Sequence, residues 1–485
     1  MPGRIAAITP TAEKPRRRLP SAPVTLAARS AVAAALLACV AAGALEVLVM
    51  DRVGVAAGLA LPVGAAAAAT IGRRPMLGVQ LGVLAVPLEF FSLRIGGETG
   101  LSPTEMLLLV SAGAALVQWS LTVARPHVPP VLRAATATCV LIAVGYLAAE
   151  DKLIVTKILV MWSAFVVVAV LVANAEERDV ARLMGCVAIA GGIAGLVAVA
   201  GGANQSLVEG GLIATNRAQA SFAQPNVLGF FLVLAIPTAV VLAVRGRPAT
   251  RAFMAVMAAG AFWGLMLSLS RTSLIGTFLA LGVLLLWPAF RRWAIVGLAA
   301  LALFALFNVQ ALERSQQISV VTQRLATLGR ATTVEADPRL QMWRTTPKII
   351  AANPLLGVGA GNYSVAAKRY ALLDQNDLPF DHAHDVPLTI GAELGLPGLA
   401  VLAWFVVALG GLVLRAIDLR GDPVRGALLL ALAATMVGVA PIALADYPPR
   451  TNAIAATFII EVGALAALLR HARRAATPPA PSAPR

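Results

Sequence analysis

Apolar runs recur through most of this chain, and each is about twenty residues long, the length a helix needs to cross the core of a bilayer. Inside the hydrocarbon core every backbone N–H and C=O must be paired within the protein, so spanning segments of this length must be helical. Only 13% of the residues are charged, whereas a soluble domain has about a quarter. The sequence therefore predicts an all-α polytopic membrane protein rather than a soluble domain with one anchor.

About fourteen runs qualify as candidate spans, and because several are short or interrupted by glycine, about twelve to fourteen transmembrane helices are expected. The candidates are residues 26–48, 53–71, 75–93, 101–123, 130–149, 153–173, 181–201, 226–244, 251–270, 272–290, 292–309, 385–414, 424–445 and 452–470.

Basic residues in the short loops predict the orientation. Arg16–Arg18 precede the first run, and arginines recur in every second short loop, whereas the intervening loops contain fewer basic residues. The short loops that are rich in arginine stay on the cytoplasmic side. Both termini are therefore predicted to be cytoplasmic.

The net charge of +15 is spread over these loops. This distribution favours topology control and contact with membrane lipids over nucleic-acid binding. Cys39, Cys139 and Cys186 lie inside apolar runs, which argues against disulfides and metal ligation. The basic start followed by an apolar stretch is also typical of a signal peptide, but the stretch is too long, so a retained first helix is favoured.

The predicted organisation has six parts. They are a disordered cytoplasmic N-terminus (1–25), N-terminal transmembrane helices (26–201), transmembrane helices with outer arginine loops (202–309), a large periplasmic loop (310–384), C-terminal transmembrane helices (385–470) and a disordered cytoplasmic tail (471–485).

The large loop has a helical pattern of its own. Asp337-Pro338 is typical of an N-cap with proline at the first helical position. Arg339 and Trp343 then share one helical face, and Asn353-Pro354 ends the helix. We expect a helical cap over the outer mouth of the bundle.

Four polar residues far apart in sequence map to the predicted outer face: Arg217, Arg271, Arg339 and His384. Each also has a simpler interpretation, as a loop residue, an interface anchor, a charge on a surface helix or a helix-entry histidine. Glu393 lies further into the span, where a charge costs about 2.5–3.5 kcal/mol unless it is partnered. It is expected to form structural hydrogen bonds in the bundle interior.

Arginines and a histidine on one face suit a reaction at a diphosphate. Guanidinium groups grip phosphate oxygens in pairs and keep their charge, and a histidine can accept a proton from a hydroxyl. The sequence contains no phosphate-binding Gly-Lys-Ser/Thr loop, no nucleophile elbow and no metal-ligand cluster, so no metal and no cofactor is expected. Gly357–Gly361 is only a weak nucleotide signal because no strand precedes it.

Four segments, in order, resemble the bacterial O-antigen ligase and polymerase family of membrane glycosyltransferases. Ser270-Arg271-Thr272-Ser273 is similar to its arginine turn. Arg339-x-x-x-Trp343 followed by Asn353–Tyr363 resembles the helix and turn of its large loop. His382-Ala383-His384-Asp385, continuing through Glu393 to Leu399, resembles its histidine signature, and Arg217–Asn226 is a weaker match to its preceding arginine loop.

The resemblance implies transfer of a glycan from an undecaprenyl-diphosphate carrier to a hydroxyl of lipid A-core, of a growing polysaccharide or of another acceptor, on the periplasmic face. It implies His384 as the general base and Arg217, Arg271 and Arg339 as the diphosphate ligands, with His382, Trp343, Asp385 and Glu393 in support. The family usually has Asn where this chain has Asp385, and a carboxylate there is expected to raise the pKa of His384 or to orient its ring.

Three alternatives stay open. A polymerase of the same family uses the same diphosphate cradle and differs only in its acceptor. A polyisoprenoid or polysaccharide transporter predicts mid-membrane charges and an inverted repeat. A non-catalytic scaffold would require no convergence of arginines and histidine.

Overall fold

The computed structural model describes residues 67–89, 93–94, 100–123, 125–201, 208–209, 212–213, 217–295, 338–373 and 377–476. The chain divides into two units, Met1–Ala69 and Thr70–Arg485. The described helices from Pro75 onward all lie in the second unit. Several expectations lie outside the described residues: the N-terminal 1–25, the span 26–48, most of 53–71 and 292–309, the loop up to Asp337 and the tail 477–485.

The described part is all-α, which confirms the predicted fold class. Two pairs of two-residue strands, Leu93–Arg94 with Gly100–Leu101 and Val208–Glu209 with Leu212–Ile213, are its only paired strands. The helices are α1 (Pro75–Leu84), α2 (Pro103–Thr122), α3 (Pro130–Gly145), α4 (Lys152–Ala173), α5 (Glu177–Gly201), α6 (Pro225–Arg245), α7 (Pro248–Ser268), α8 (Arg271–Leu284), α9 (Pro338–Ala352), α10 (Tyr363–Arg369), α11 (Val386–Asp418), α12 (Gly426–Ala443) and α13 (Asn452–Ala476).

Eight of these helices are long and apolar enough to cross a membrane, counted over the described residues. They are α2, α4, α5, α6, α7, α11, α12 and α13, and each matches a candidate span. Three more candidates correspond to the shorter apolar helices α1, α3 and α8. The polytopic character is thus confirmed, whereas the total of about twelve to fourteen spans stays a prediction.

Helix starts follow local chemistry. Proline occupies the first position of α1, α2, α3, α6, α7 and α9, where its missing N–H removes no helical hydrogen bond. At α2 a capping box adds to this: the Glu105 amide donates to Ser102 Oγ at 3.3 Å, and the Ser102 amide donates to Glu105 Oε2 at 2.7 Å.

Small residues let the spanning helices approach closely. A Cβ added at Gly195 of α5 would lie 2.2 Å from the backbone oxygen of Gly260 in α7. A Cβ at Gly276 of α8 would lie 2.2 Å from the backbone oxygen of Gly438 in α12. Such contacts are typical of membrane bundles, where close backbone packing replaces the hydrophobic driving force between helices.

The large loop contains α9 and α10, and a turn between them docks on a kink in α11. The helix α9 ends at Ala352, as Asn353-Pro354 predicts. In α11, Gly395 has a non-helical backbone with φ of 68°, and its neighbour Leu396 donates its amide hydrogen to the Pro354 oxygen at 2.8 Å. The kink therefore frees backbone groups of α11, such as the Leu396 amide, to bind the loop. The sequence analysis predicted one continuous span here and did not include this kink.

Candidate active site

The two histidines lie in a tight turn that leads into α11. Asp385 caps this helix, since its Oδ1 accepts from the Leu388 amide at 2.7 Å. His384, just before the cap, has a left-handed backbone with φ of 51°. This sparsely populated conformation reverses the chain and presents the imidazole to the end of α12.

The residue between the histidines is held on both sides. The Ala383 amide donates to Thr389 Oγ1 at 3.1 Å, and Trp343 Nε1 donates to the Ala383 oxygen at 3.1 Å. Ala383 itself is completely buried. Trp343, on the loop helix α9, therefore positions the histidine turn through its backbone.

Asp446, just after α12, is the centre of the site. Its Oδ1 lies 3.0 Å from His384 Nδ1 and accepts from the Tyr447 amide at 2.9 Å. Its Oδ2 lies 3.4 Å from a guanidinium nitrogen of Arg339. The Asp446 side chain is only 7% exposed, so these partners compensate most of its lost hydration.

Arg217 joins the same network through an amide. Asn226, in the first turn of α6, donates to Asp446 Oδ2 at 3.3 Å, and its Oδ1 accepts from Arg217 Nη2 at 2.6 Å. Arg217 Nε donates to the Ser268 oxygen at the end of α7, at 2.9 Å. Arg217 therefore tethers the loop before α6 to the end of α7.

Arg271 is the first residue of α8 and follows the tethered end of α7 by a short turn. Ser270 Oγ and Ser273 Oγ, on either side of it, lie 2.9 Å apart. Both serines are buried, whereas Arg271 is half-buried. The polar turn expected around Arg271 is present.

Burial and charge set the protonation of the His384–Asp446 pair. Burial lowers the pKa of His384 below its usual 6.5, and the nearby charges of His382 and Arg339 lower it further, against the opposing effect of Asp446. Burial would raise the pKa of Asp446, but the nearby histidines His382 and His384 and the charge of Arg339 hold it well below its usual range. His384 is thus neutral at neutral pH beside an ionised carboxylate.

His382 has the opposite tendency. It is 3% exposed, its Nδ1 lies 2.6 Å from Asp381 Oδ1, and its Nε2 lies 3.8 Å from Asp446 Oδ1. Burial alone would lower the pKa of His382, but the hydrogen bond to Asp381 and the nearby Asp446 carboxylate raise it. Two neighbouring histidines, with ring centroids 4.2 Å apart, therefore have pKa values displaced in opposite directions.

The expectation for Asp385 requires correction. The carboxylate beside the His384 ring belongs to Asp446, whereas Asp385 bonds to the backbone of its own helix. The expected rise in the pKa of His384 is also wrong, because burial outweighs the carboxylate.

Glu393 lies under the glycine-rich turn of the loop. It is 6% exposed, and its side chain accepts hydrogen bonds from the backbone amides of Gly361 and Tyr363. The Gly359 amide donates to the Glu393 backbone oxygen at 3.0 Å. Gly357, Gly359 and Gly361 all have positive φ. These glycines thus allow the loop to pack closely onto α11 at Glu393, whose structural role stays a prediction.

The structure also brings together three possible metal ligands, which the sequence did not indicate. One ligand atom each from His382, His384 and Asp446 lies within 4.8 Å of the others. In the described residues this is the only group of three such side chains. Of these side chains, His384 Nδ1 lies 3.0 Å from Asp446 Oδ1, whereas His382 Nδ1 faces Asp381 instead.

Sequence reasoning missed Asp446 and Asn226 as members of the site. The only available signal for Asp446 was an acid at the end of an apolar run, on the side predicted to be the outer one. Sequence reasoning also did not identify Glu461, a second acid within a span. Glu461 is completely buried in α13, and neither of its carboxyl oxygens has a hydrogen-bond partner within the described part of the chain.

Residues 253–403 match a family model described as O-antigen ligase, which confirms the resemblance for that segment. The segment includes Arg271, Arg339 and the histidine turn but leaves out Arg217 and Asp446. The match supports glycan transfer of the ligase or polymerase type by a membrane enzyme. No curated protein matches the sequence.

One similar chain comes from a solved structure described as "Structural coordination of polymerization and crosslinking by a peptidoglycan synthase complex". The alignment covers 70% of this chain and 97% of that chain, with 17% identity and a TM-score of 0.36. A similarity this low carries no argument about fold or function.

Proposed function

Starting from the O-antigen ligase segment at residues 253–403, we propose that this protein transfers a glycan from an undecaprenyl-diphosphate carrier to an acceptor hydroxyl on the periplasmic face of the bacterial inner membrane. The observation that carries the proposal is the contact of Asp446 with both His384 and Arg339. It joins a candidate base and a candidate phosphate ligand in one partly open site.

His384 acts as the general base in this proposal. Because Nδ1 faces Asp446, an Nδ1–H donated to that carboxylate leaves the lone pair on Nε2. The side chain is 23% exposed, so an acceptor hydroxyl can reach it. A lowered pKa keeps the ring neutral and able to accept a proton at neutral pH.

The arginines hold the diphosphate. Arg339 is 30% exposed and Arg271 is half-buried, so both can face a ligand while remaining charged. Arg217 donates hydrogen bonds to Asn226 and to the Ser268 oxygen. It therefore holds the site in shape and also adds positive charge for the diphosphate.

The chemical step is a single displacement. The acceptor oxygen bonds to the anomeric carbon while the bond from that carbon to the phosphate oxygen breaks. The acceptor proton passes to His384 Nε2, and the electron pair leaves on the lipid diphosphate, whose charge the arginines stabilise. Direct attack of this kind inverts the anomeric centre.

Transfer in vitro with a defined undecaprenyl-diphosphate glycan tests the proposal. The full chain in detergent or nanodiscs is given lipid A-core, a free glycan or a second lipid-linked glycan, with and without a chelator. We expect lipid diphosphate release and a glycosylated acceptor in both conditions. The preferred acceptor separates a ligase from a polymerase. Complete loss with chelator would instead assign His382, His384 and Asp446 to a metal, and no transfer to any acceptor in either condition would contradict the proposed function.

A further inference from the structure

A second polar cluster lies at the opposite end of the same helices. Asn452 begins α13 beside the Asp446 loop, and Arg470, Arg473 and Arg474 lie in its last turns, roughly 30 Å away at 1.5 Å per residue. Arg415 lies likewise near the end of α11, which begins at the histidine turn. The two clusters therefore belong to opposite membrane faces.

These arginines surround a cavity of about 370 Å³ between α3, α11 and α13. Most of its lining surface is apolar and includes Leu412 and Leu469, and the four arginines, here called the rim, form the charged part of the lining. No carboxylate is present among the side chains that line it, within the described residues. The cavity thus combines a mostly apolar lining with a rim of one charge.

Arg470 is only partly satisfied by the protein. Its Nη2 donates to the Ala175 oxygen at 3.2 Å, but its Nε is buried and has no hydrogen-bond partner among the described atoms. A buried guanidinium N–H without an acceptor is unfavourable. Arg474, one helical turn away, adds like-charge repulsion at the i, i+4 spacing. An anion in the cavity would offset this repulsion between the two guanidinium groups.

We propose that this cavity binds the headgroup of an anionic phospholipid from the surrounding bilayer. A phosphodiester supplies oxygens to the arginine rim, and the glycerol and first acyl carbons pack against the leucines. Basic pockets between spanning helices are suited to such headgroups. A lipid fits better than free phosphate because most of the lining surface is apolar. The proposal is independent of the reaction at the histidine site.

Lipid titration of the purified full chain, read by native mass spectrometry, tests this assignment. The probes are phosphatidylglycerol, phosphatidylcholine of equal chain length and inorganic phosphate. Arg470→Gln/Arg474→Gln removes two rim charges. Arg178→Gln/Arg182→Gln is the matched control, since these side chains are 70% and 66% exposed and do not line the cavity.

We expect phosphatidylglycerol to bind the wild type in preference to phosphatidylcholine, and about thirtyfold more weakly to the rim variant, with little change in the control. If the double variant does not accumulate, Arg415→Gln on the facing helix is tested instead, and it should weaken phosphatidylglycerol binding about fivefold. Equal phosphatidylglycerol affinity in the wild type and the rim variants, or no preference over phosphatidylcholine, overturns the proposal. Phosphate that binds alone and displaces no lipid overturns it as well.

Discussion

His384 Nδ1 lies 3.0 Å from Asp446 Oδ1, although 62 residues separate the two in sequence. The pair joins the entrance of α11 to the exit of α12, and the acid also contacts Arg339 from the large loop. This one carboxylate therefore connects three elements and fixes which nitrogen of the histidine is free for chemistry.

Asp446→Asn is expected to lower the turnover number for glycan transfer at least about a hundredfold, because the ring loses its orienting charge and its preferred tautomer. Asp446 also raises the pKa of His384, so its loss should move the acid limb of the remaining activity to lower pH. The measurement is turnover against pH with a defined lipid-linked donor. Asp418→Asn, at the far end of α11, is the control. An unchanged pH profile in the variant would argue for a purely structural role of Asp446.

His384→Ala should reduce transfer by about 10²–10⁴-fold, the usual contribution of a general base, while the protein inserts and accumulates normally. His127→Ala removes an exposed histidine at the opposite end of the bundle and should leave transfer unchanged. Both variants are assayed at equal membrane abundance. Wild-type transfer by the His384 variant would exclude the base role.

The pH dependence of transfer by the wild type follows from the neutral form of His384. A base works only when deprotonated, so activity is present above its pKa and is lost as the pH falls through it. Because burial lowers this pKa, the acid limb should lie below pH 6.5. The test is kcat/KM measured from acid to neutral pH. An acid limb above 6.5 would point to His382, whose pKa is raised.

Arg271→Lys should lower kcat/KM by about tenfold to a hundredfold, because a lysine keeps the charge but loses the planar pair of donors that fits a diphosphate. The control is Arg247→Lys, at the exposed start of α7. Both are compared in the same transfer assay. A fully active Arg271→Lys variant would indicate that this position provides only general electrostatic attraction.

Gly395→Ala should destabilise the fold. Its φ of 68° and ψ of −163° lie in a region essentially restricted to glycine, which costs an L-residue about 1–3 kcal/mol. An added Cβ would also lie 2.6 Å from the Pro354 oxygen. The thermal midpoint in detergent is expected to fall by several degrees. Gly410→Ala in the same helix, where a Cβ meets nothing within 4 Å, should be neutral or slightly stabilising. Equal midpoints for the two variants would contradict the role assigned to the kink.

The arginine and histidine motifs were visible in the sequence because each has a local signature: a polar turn between spans, a proline-started helix, and histidines before a capped helix. The roles of Trp343 and Glu393 were less defined. Trp343 donates a hydrogen bond to the Ala383 oxygen in a different element, and Glu393 accepts from backbone amides of the glycine-rich turn. The spacing of these residues along the sequence predicts neither partner.

The length and repetition of the apolar runs determined by themselves that the chain is a helical bundle in a membrane. Backbone N–H and C=O groups cannot stay unpaired in the hydrocarbon core, and a helix pairs all of them within one spanning segment. The identity of the carboxylate beside His384 was decided only by tertiary structure. Asp385 is adjacent in sequence, but its position at a helix start directs it to the backbone amide of Leu388. Helix packing brings Asp446 to the imidazole instead, and burial there sets the direction of the pKa shift.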